Sequence, residues 1–200
     1  MSEAAVPEIA LDQRAVKGSS SSVLGMTLFV ASEAMFFAAF FGAYFTIYAA
    51  APTWPPLRVP IPDVLIPSIA TGLLVTSGFT MQMGVIAAKR GRIKRLNVSL
   101  ALTIVLGGAF LILQAIDYSG MGFGIHDGVY PSLFYIMTGL HMAHVIGGVL
   151  FLILVFVQSR TGQLSMERHE PVEAAAIYWH FVDIVWIGLF VLFYVLPQRG

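Results

Sequence analysis

Five long apolar runs, at 23–48, 64–88, 96–116, 132–157 and 174–196, take up most of this chain. Each is about 20 residues or longer, enough for a helix to cross ~30 Å of hydrocarbon. A membrane-barrel strand would instead be about ten residues of alternating apolar and polar side chains. The prediction is therefore an all-α integral membrane bundle of five transmembrane helices. The charge content agrees: charged residues make up 11% and hydrophobic residues 58%, against roughly 25% charged in ordinary soluble domains.

The connections carry helix breakers. Loop one, 51–62, is proline-rich and loop two, 89–95, is strongly basic. Loop three, 119–131, holds four glycines, and loop four, 160–171, is polar. No internal repeat is present, and no loop is long enough for a second domain. Residues 1–21 contain Glu3, Glu8 and Asp12 and show no apolar run of the signal-peptide kind. They are expected to form a cytoplasmic tail ahead of a membrane domain at 22–198. The tail, loop two and loop four together hold nine Lys and Arg, whereas the other side holds two, Arg58 and Arg199. The positive-inside rule then places the N-terminus in the cytoplasm and the C-terminus outside.

Net charge is +0, which gives no reason to expect nucleic acid or an acidic substrate as partner. The chain has no cysteine, which excludes disulfides, thiolate metal sites and a cysteine nucleophile within it. In the second span Ser68, Gly72, Thr76, Thr80 and Gly84 recur every four residues. In the fourth, Gly139, Ala143 and Gly147 do the same. Such stripes let a neighbouring helix approach closely, so both are expected to be packing faces.

Few ionisable groups lie inside the five runs: Glu33, His141, His144, His180 and Asp183. A charge at the bilayer centre costs at least about 2.5–3.5 kcal/mol, so such groups need partners or a wet cavity. Two readings of Glu33 stand side by side: a proton-exchanging carboxyl, or a protonated one that holds two helices together. His141 and His144 share a helix face. Their spacing suits either a metal or a pair of neutral histidines that donate hydrogen bonds between helices. Haem ligation is not excluded by spacing alone, but no pattern gathers three copper-binding histidines. Glu173, His180 and Asp183 project from roughly one face of the last span, as an interhelical or intrahelical His–Asp pair or as a proton relay.

The motifs around these residues are specific. The stretch Glu173-Ala-Ala-Ala-Ile-Tyr-Trp-His-Phe-Val-Asp-Ile-Val-Trp186 closely resembles the final-helix signature of cytochrome c oxidase subunit III. Phe134-Tyr-Ile-Met-Thr-Gly-Leu-His-Met-Ala-His-Val145 resembles that family's Thr-Gly-x-His-x-x-His helix. Ser32-Glu-Ala-Met-Phe-Phe37 resembles the helix with its buried, carbodiimide-reactive carboxylate, and Trp54-Pro-Pro56 its outer loop. The motifs follow the family's order, and the resemblance covers residues 20 to 197.

This resemblance implies a subunit of a proton-pumping terminal oxidase that reduces dioxygen to water. It implies no catalytic residue and no redox metal in this chain, with haem and copper held in partner subunits I and II. It further implies bound phospholipid, additional small subunits, cytochrome c as donor, support of proton uptake, and a bacterial plasma membrane location. Glu33 takes the place of the buried carboxylate and is expected to hydrogen-bond a histidine of the fourth span. His141, His144, Glu173, His180 and Asp183 fall in the polar interior, or at lipid and subunit contacts. The mitochondrial form has seven helices, of which this chain is expected to lack the first two. Gln114-Ala-Ile-Asp-Tyr118 resembles a Gln-x-x-Glu-Tyr pattern, with Asp117 in the acidic place. Subunit III of a quinol oxidase shares the last-helix pattern, and small subunits of nitric oxide reductases are related. A proton-coupled transporter would also use intramembrane carboxylates, but it would often show inverted repeats. A purely structural assembly subunit is a further reading.

Overall fold

The computed structural model describes residues 21–56, 59–165 and 168–199. The expected tail at 1–21 therefore falls almost wholly outside the described residues. The described residues form five α-helices: α1 (Ser21–Ala50), α2 (Leu65–Lys89), α3 (Ile93–Gly120), α4 (Val129–Arg160) and α5 (Glu170–Phe190). Each is long and apolar enough to span a membrane, and the described residues hold no strand. The all-α reading holds.

The helices outrun their apolar segments at several ends. α4 and α5 start upstream of Ser132 and Ala174 because Pro131 and Pro171 fall in their first turns. There a missing N–H leaves no bond unmade. Glu170 and Glu173 in the first turn of α5 also suit the positive end of the helix dipole. α3 runs on to Gly120 and so takes in Asp117, which is buried. The basic connection between α2 and α3 is a tight turn. Gly91, at φ 64°, sends its N–H to Ala88, and Arg92 sends its own back to Ala87, both at 2.9 Å. This pair of bonds closes the end of α2, and the left-handed position between them favours glycine.

α5 is the hub. It packs against α1, α2 and α4, while α2 pairs closely with α3 and α3 with α4. α1 leans almost entirely on α5 and touches α4 only lightly. Trp179 of α5 shows how the hub is made. A Cβ at Gly107 of α3 would meet its ring at 2.6 Å, and one at Gly148 of α4 at 2.9 Å. The indole is thus lodged between two bare backbones, and its N–H donates to Ser77 Oγ of α2 at 2.9 Å. Gly78 likewise makes room for Asp183, whose Oδ2 lies 2.5 Å from where a Cβ would be.

These contacts correct the expected packing stripes. Ser68, Gly72 and Thr76 are exposed, and only Thr80 and Gly84 are buried, against Thr103 and Ser99 of α3. In α4, Ala143 and Gly147 are exposed and Gly139 is half-buried. A four-residue period identifies a smooth face but not the neighbour that uses it. Glycines 78, 107 and 148 receive large side chains from α5, and Gly188 of α5 receives Phe41 of α1, whose ring lies 3.0 Å from where a Cβ would be.

The end of α5 departs from α-helix as a π turn, Val191–Val195, followed by a 3-10 turn, Leu196–Arg199. Pro197 has no N–H to return to Phe193, and the N–H of Leu196 bonds back to Val191. The carbonyls of Leu192 and Phe193 are left to other donors. Tyr44 of α1 donates to Leu192 O and Tyr130 of α4 to Phe193 O, both at 3.1 Å. At the opposite end of the bundle Lys89 of α2 pairs with Glu173 of α5 at 2.8 Å. α1, α3 and α5 therefore run one way, with α2 and α4 antiparallel to them.

Candidate functional site

Glu33 and His144 meet across the sparse α1–α4 contact. Glu33 Oε2 lies 3.0 Å from His144 Nε2. His144 Nδ1 lies 2.7 Å from the carbonyl of Leu140, one turn back. A carbonyl only accepts, so Nδ1 carries a hydrogen. Nε2 then has a lone pair in neutral imidazole, and two lone pairs cannot face each other at this distance. The contact therefore holds one proton between carboxyl and ring, as a carboxylic acid donating to imidazole or as a carboxylate accepting from imidazolium. Either arrangement is neutral overall, which lowers the cost of placing two ionisable groups within the bilayer.

The surroundings hold the pair in place. The Phe37 ring stands edge-on to His144, with centroids 5.1 Å apart. Tyr178 of α5 donates to the His144 carbonyl at 3.0 Å. Ser32, the nearest polar neighbour in sequence, donates instead to Phe29 O. The side chains of Glu33 and His144 keep 22% and 17% of their exposure, so the pair sits at the bundle surface. Glu33 is twelve residues past Ser21, about 18 Å along the helix at 1.5 Å per residue.

The structure separates His141 from His144. Three residues of helix leave the two side chains about 60° apart around the axis. That turns His141 inward between α3 and α5. It is fully buried and stacks on Trp186 at 5.2 Å, with Phe110 edge-on at 5.9 Å. Neither ring nitrogen has a hydrogen-bond partner among the described residues, which corrects the expectation of an interhelical hydrogen bond from this residue. No group of three or more His, Asp or Glu side chains gathers as a metal site among the described residues.

The α5 residues also divide. Glu173 forms an ion pair with Lys89 at 2.8 Å and lies 3.5 Å from His169 Nε2, at the basic end of the bundle. His180 Nδ1 lies 3.7 Å from Asp183 Oδ2, beyond hydrogen-bond range. His180 also approaches Gln82 Oε1 at 3.4 Å. Asp183 Oδ1 is buried without a partner among the described residues.

At the other end a buried polar cluster joins α3 to the end of α5. Tyr194 donates to Asp117 Oδ2 at 2.7 Å, and Gln114 Nε2 reaches Tyr194 and Asp117 at 3.2 and 3.4 Å. Asp117 lies just beyond the third apolar run, which stops at Ile116. Its i−3 spacing to Gln114, on one helix face, was the available signal.

The sequence model of the family described as cytochrome c oxidase subunit III matches residues 12–197. A cytochrome c oxidase subunit 3 from Heterololigo bleekeri is 40% identical over 185 residues, 90% of this chain and 71% of the relative. The Thermostichus vulcanus protein of the same name is 35% identical over 177 residues, 88% of each chain. That of Mus musculus is 39% identical over 177 residues, 85% of this chain and 67% of the relative.

Proposed function

The chain belongs to the cytochrome c oxidase subunit III family, and from that premise we propose that it supports proton uptake through the Glu33–His144 pair. As a subunit III it is a multi-pass membrane component of a terminal oxidase, an oxidoreductase complex made with other subunits. In the proposed assembly subunits I and II seat against this bundle and carry the haem and copper. Phospholipid fills its grooves, cytochrome c is the donor, and the basic end faces the cytoplasm of a bacterial plasma membrane. Further small subunits have room on its surface.

The observation that carries the proton role is the doubly fixed histidine. With Nδ1 tied to Leu140, the Nε2···Oε2 contact at 3.0 Å is a neutral holder for one proton. It is partly exposed at the bundle surface, where a partner subunit or a water file has access. His180 and Asp183 supply a second, looser pair. Glu173 steadies the basic end through Lys89, and His141 fills the aromatic interior.

The test is to tag the chain, extract it in mild detergent and record a reduced-minus-oxidised haem spectrum. Oxygen uptake with reduced cytochrome c or a quinol follows. The expected result is an oxidase haem signal with turnover on cytochrome c. A haem-free preparation would overturn the assembly, and turnover on quinol alone would reassign the donor.

A further inference from the structure

We propose that the α2–α3 turn is a binding site for an anionic phospholipid. A cavity of about 480 Å³ lies between the last turns of α2 and the first turns of α3. Met83, Ile86 and Val98 give it an apolar wall, and all three are exposed on the described surface. Arg90, Arg92, Lys94 and Arg95 stand around its mouth. None of these four makes an ion pair among the described residues, whereas Lys89 beside them is engaged by Glu173 at 2.8 Å. No acidic residue lines the cavity.

The rim is held in shape. The crossed bonds through Gly91 and Arg92 lock the turn, and Gly84 packs against Ser99 directly below it. The four cations are thus gathered over one cavity, not spread along a loose loop. A phosphodiester headgroup accepts hydrogen bonds from guanidinium groups in a forked geometry. Its acyl chain is the part that matches Met83, Ile86 and Val98. Free phosphate would use the rim and leave the apolar wall wet, and an acidic protein segment would do much the same. A lipid uses both halves of the site. This inference rests on the reading of the chain as a membrane subunit with its basic end at the bilayer surface. It adds a headgroup charge and a place.

The experiment uses the detergent-extracted complex, reconstituted with phosphatidylglycerol bearing a photoreactive acyl chain. A phosphatidylcholine analogue with the same chain is the control. Adducts are mapped by mass spectrometry. The expected result is labelling within residues 83–99, with phosphatidylglycerol favoured at least fivefold. Each basic residue near a headgroup contributes about a fivefold preference for anionic lipid. A triple variant, Arg90→Gln, Arg92→Gln and Arg95→Gln, should therefore abolish that preference and bring the two lipids to near-equal labelling. Val98→Trp keeps every charge and fills the cavity, so it should lose labelling without altering topology. Equal labelling by the two lipids would overturn the proposal. So would full competition by inorganic phosphate, unchanged labelling in Val98→Trp, or crosslinks showing a partner subunit's segment in the cavity. Labelling is read on this chain's own peptides whether or not haem co-purifies, so the lipid site and the oxidase assembly fail separately.

Discussion

α1 and α5 are both apolar enough to span a membrane, yet they take opposite places in the molecule. Of the 30 residues of α1 only Phe37 and Tyr44 are buried, whereas twelve of the 21 in α5 are. The difference is not one of hydrophobicity. Lipid is as apolar as a leucine, so burial inside a membrane bundle follows packing and hydrogen bonds. α5 has the handles for both. Trp179 and Trp186 donate to Ser77 and Thr71 of α2, Tyr178 to α4, and Tyr194 to Asp117 of α3. α1 has a broad face of exposed side chains, including Leu28, Met35 and Phe45. It is held by α5, by Tyr44, and by Glu33 reaching α4. Such a helix presents a surface to lipid or to a partner, while α5 sets the frame.

Substitutions can sharpen this contrast. The largest effect is expected from Trp179→Ala, which empties the slot between Gly107 and Gly148 and removes the indole N–H that donates to Ser77. Cavities of this kind cost about 3–5 kcal/mol, so the purified subunit should lose its monodisperse peak on size-exclusion chromatography. Next comes Gly148→Leu, which drives a side chain into Trp179 and should cost about 1–3 kcal/mol. Gly42→Leu in α1, where a Cβ meets nothing within 4 Å, should leave thermal stability unchanged. Tyr194→Phe removes the 2.7 Å bond to a buried carboxyl. It should lower stability by about 1–3 kcal/mol in a thermal scan. Smaller still is Glu33→Ala, which breaks one interhelical hydrogen bond, about 0.6 kcal/mol on average in a membrane protein. A double-mutant cycle with His144→Ala should recover that coupling. Met35→Ala, at 76% exposure, should change nothing measurable in detergent. An α1 series as damaging as the α5 series would break the comparison.

The five spans were legible because hydrocarbon thickness demands long apolar runs, and nothing else in a chain of this size produces them. The Glu33–His144 link was legible for a related reason. A carboxyl deep in a span has to find a donor, and the resemblance, which makes Glu33 the buried carboxylate, pointed to the fourth span, where the residues alone left His180 of the fifth equally open. Other features were hidden because they depend on neighbours. Which glycines are packed follows from where Trp179 and Asp183 arrive, and the four-residue stripes in α2 and α4 carry no such information. Asp117 falls beyond its apolar run because apolar residues end before the helix does. The π turn needed Pro197 read together with tyrosines of α1 and α4 that donate to the freed carbonyls. His141 looked like a hydrogen-bonding group from its helix face, but its neighbours are aromatic rings.

The central claim is that the Glu33–His144 contact handles a proton and is more than a clasp. The most direct test reconstitutes the oxidase complex bearing Glu33→Gln in vesicles and follows proton ejection throughout turnover. Glutamine can donate to His144 Nε2, so the clasp and the assembly should persist. The account predicts that ejection per electron falls, or that activity is lost after fewer turnovers than in the parent complex. Full ejection sustained for the parent's whole lifetime would contradict it and leave the pair a packing contact.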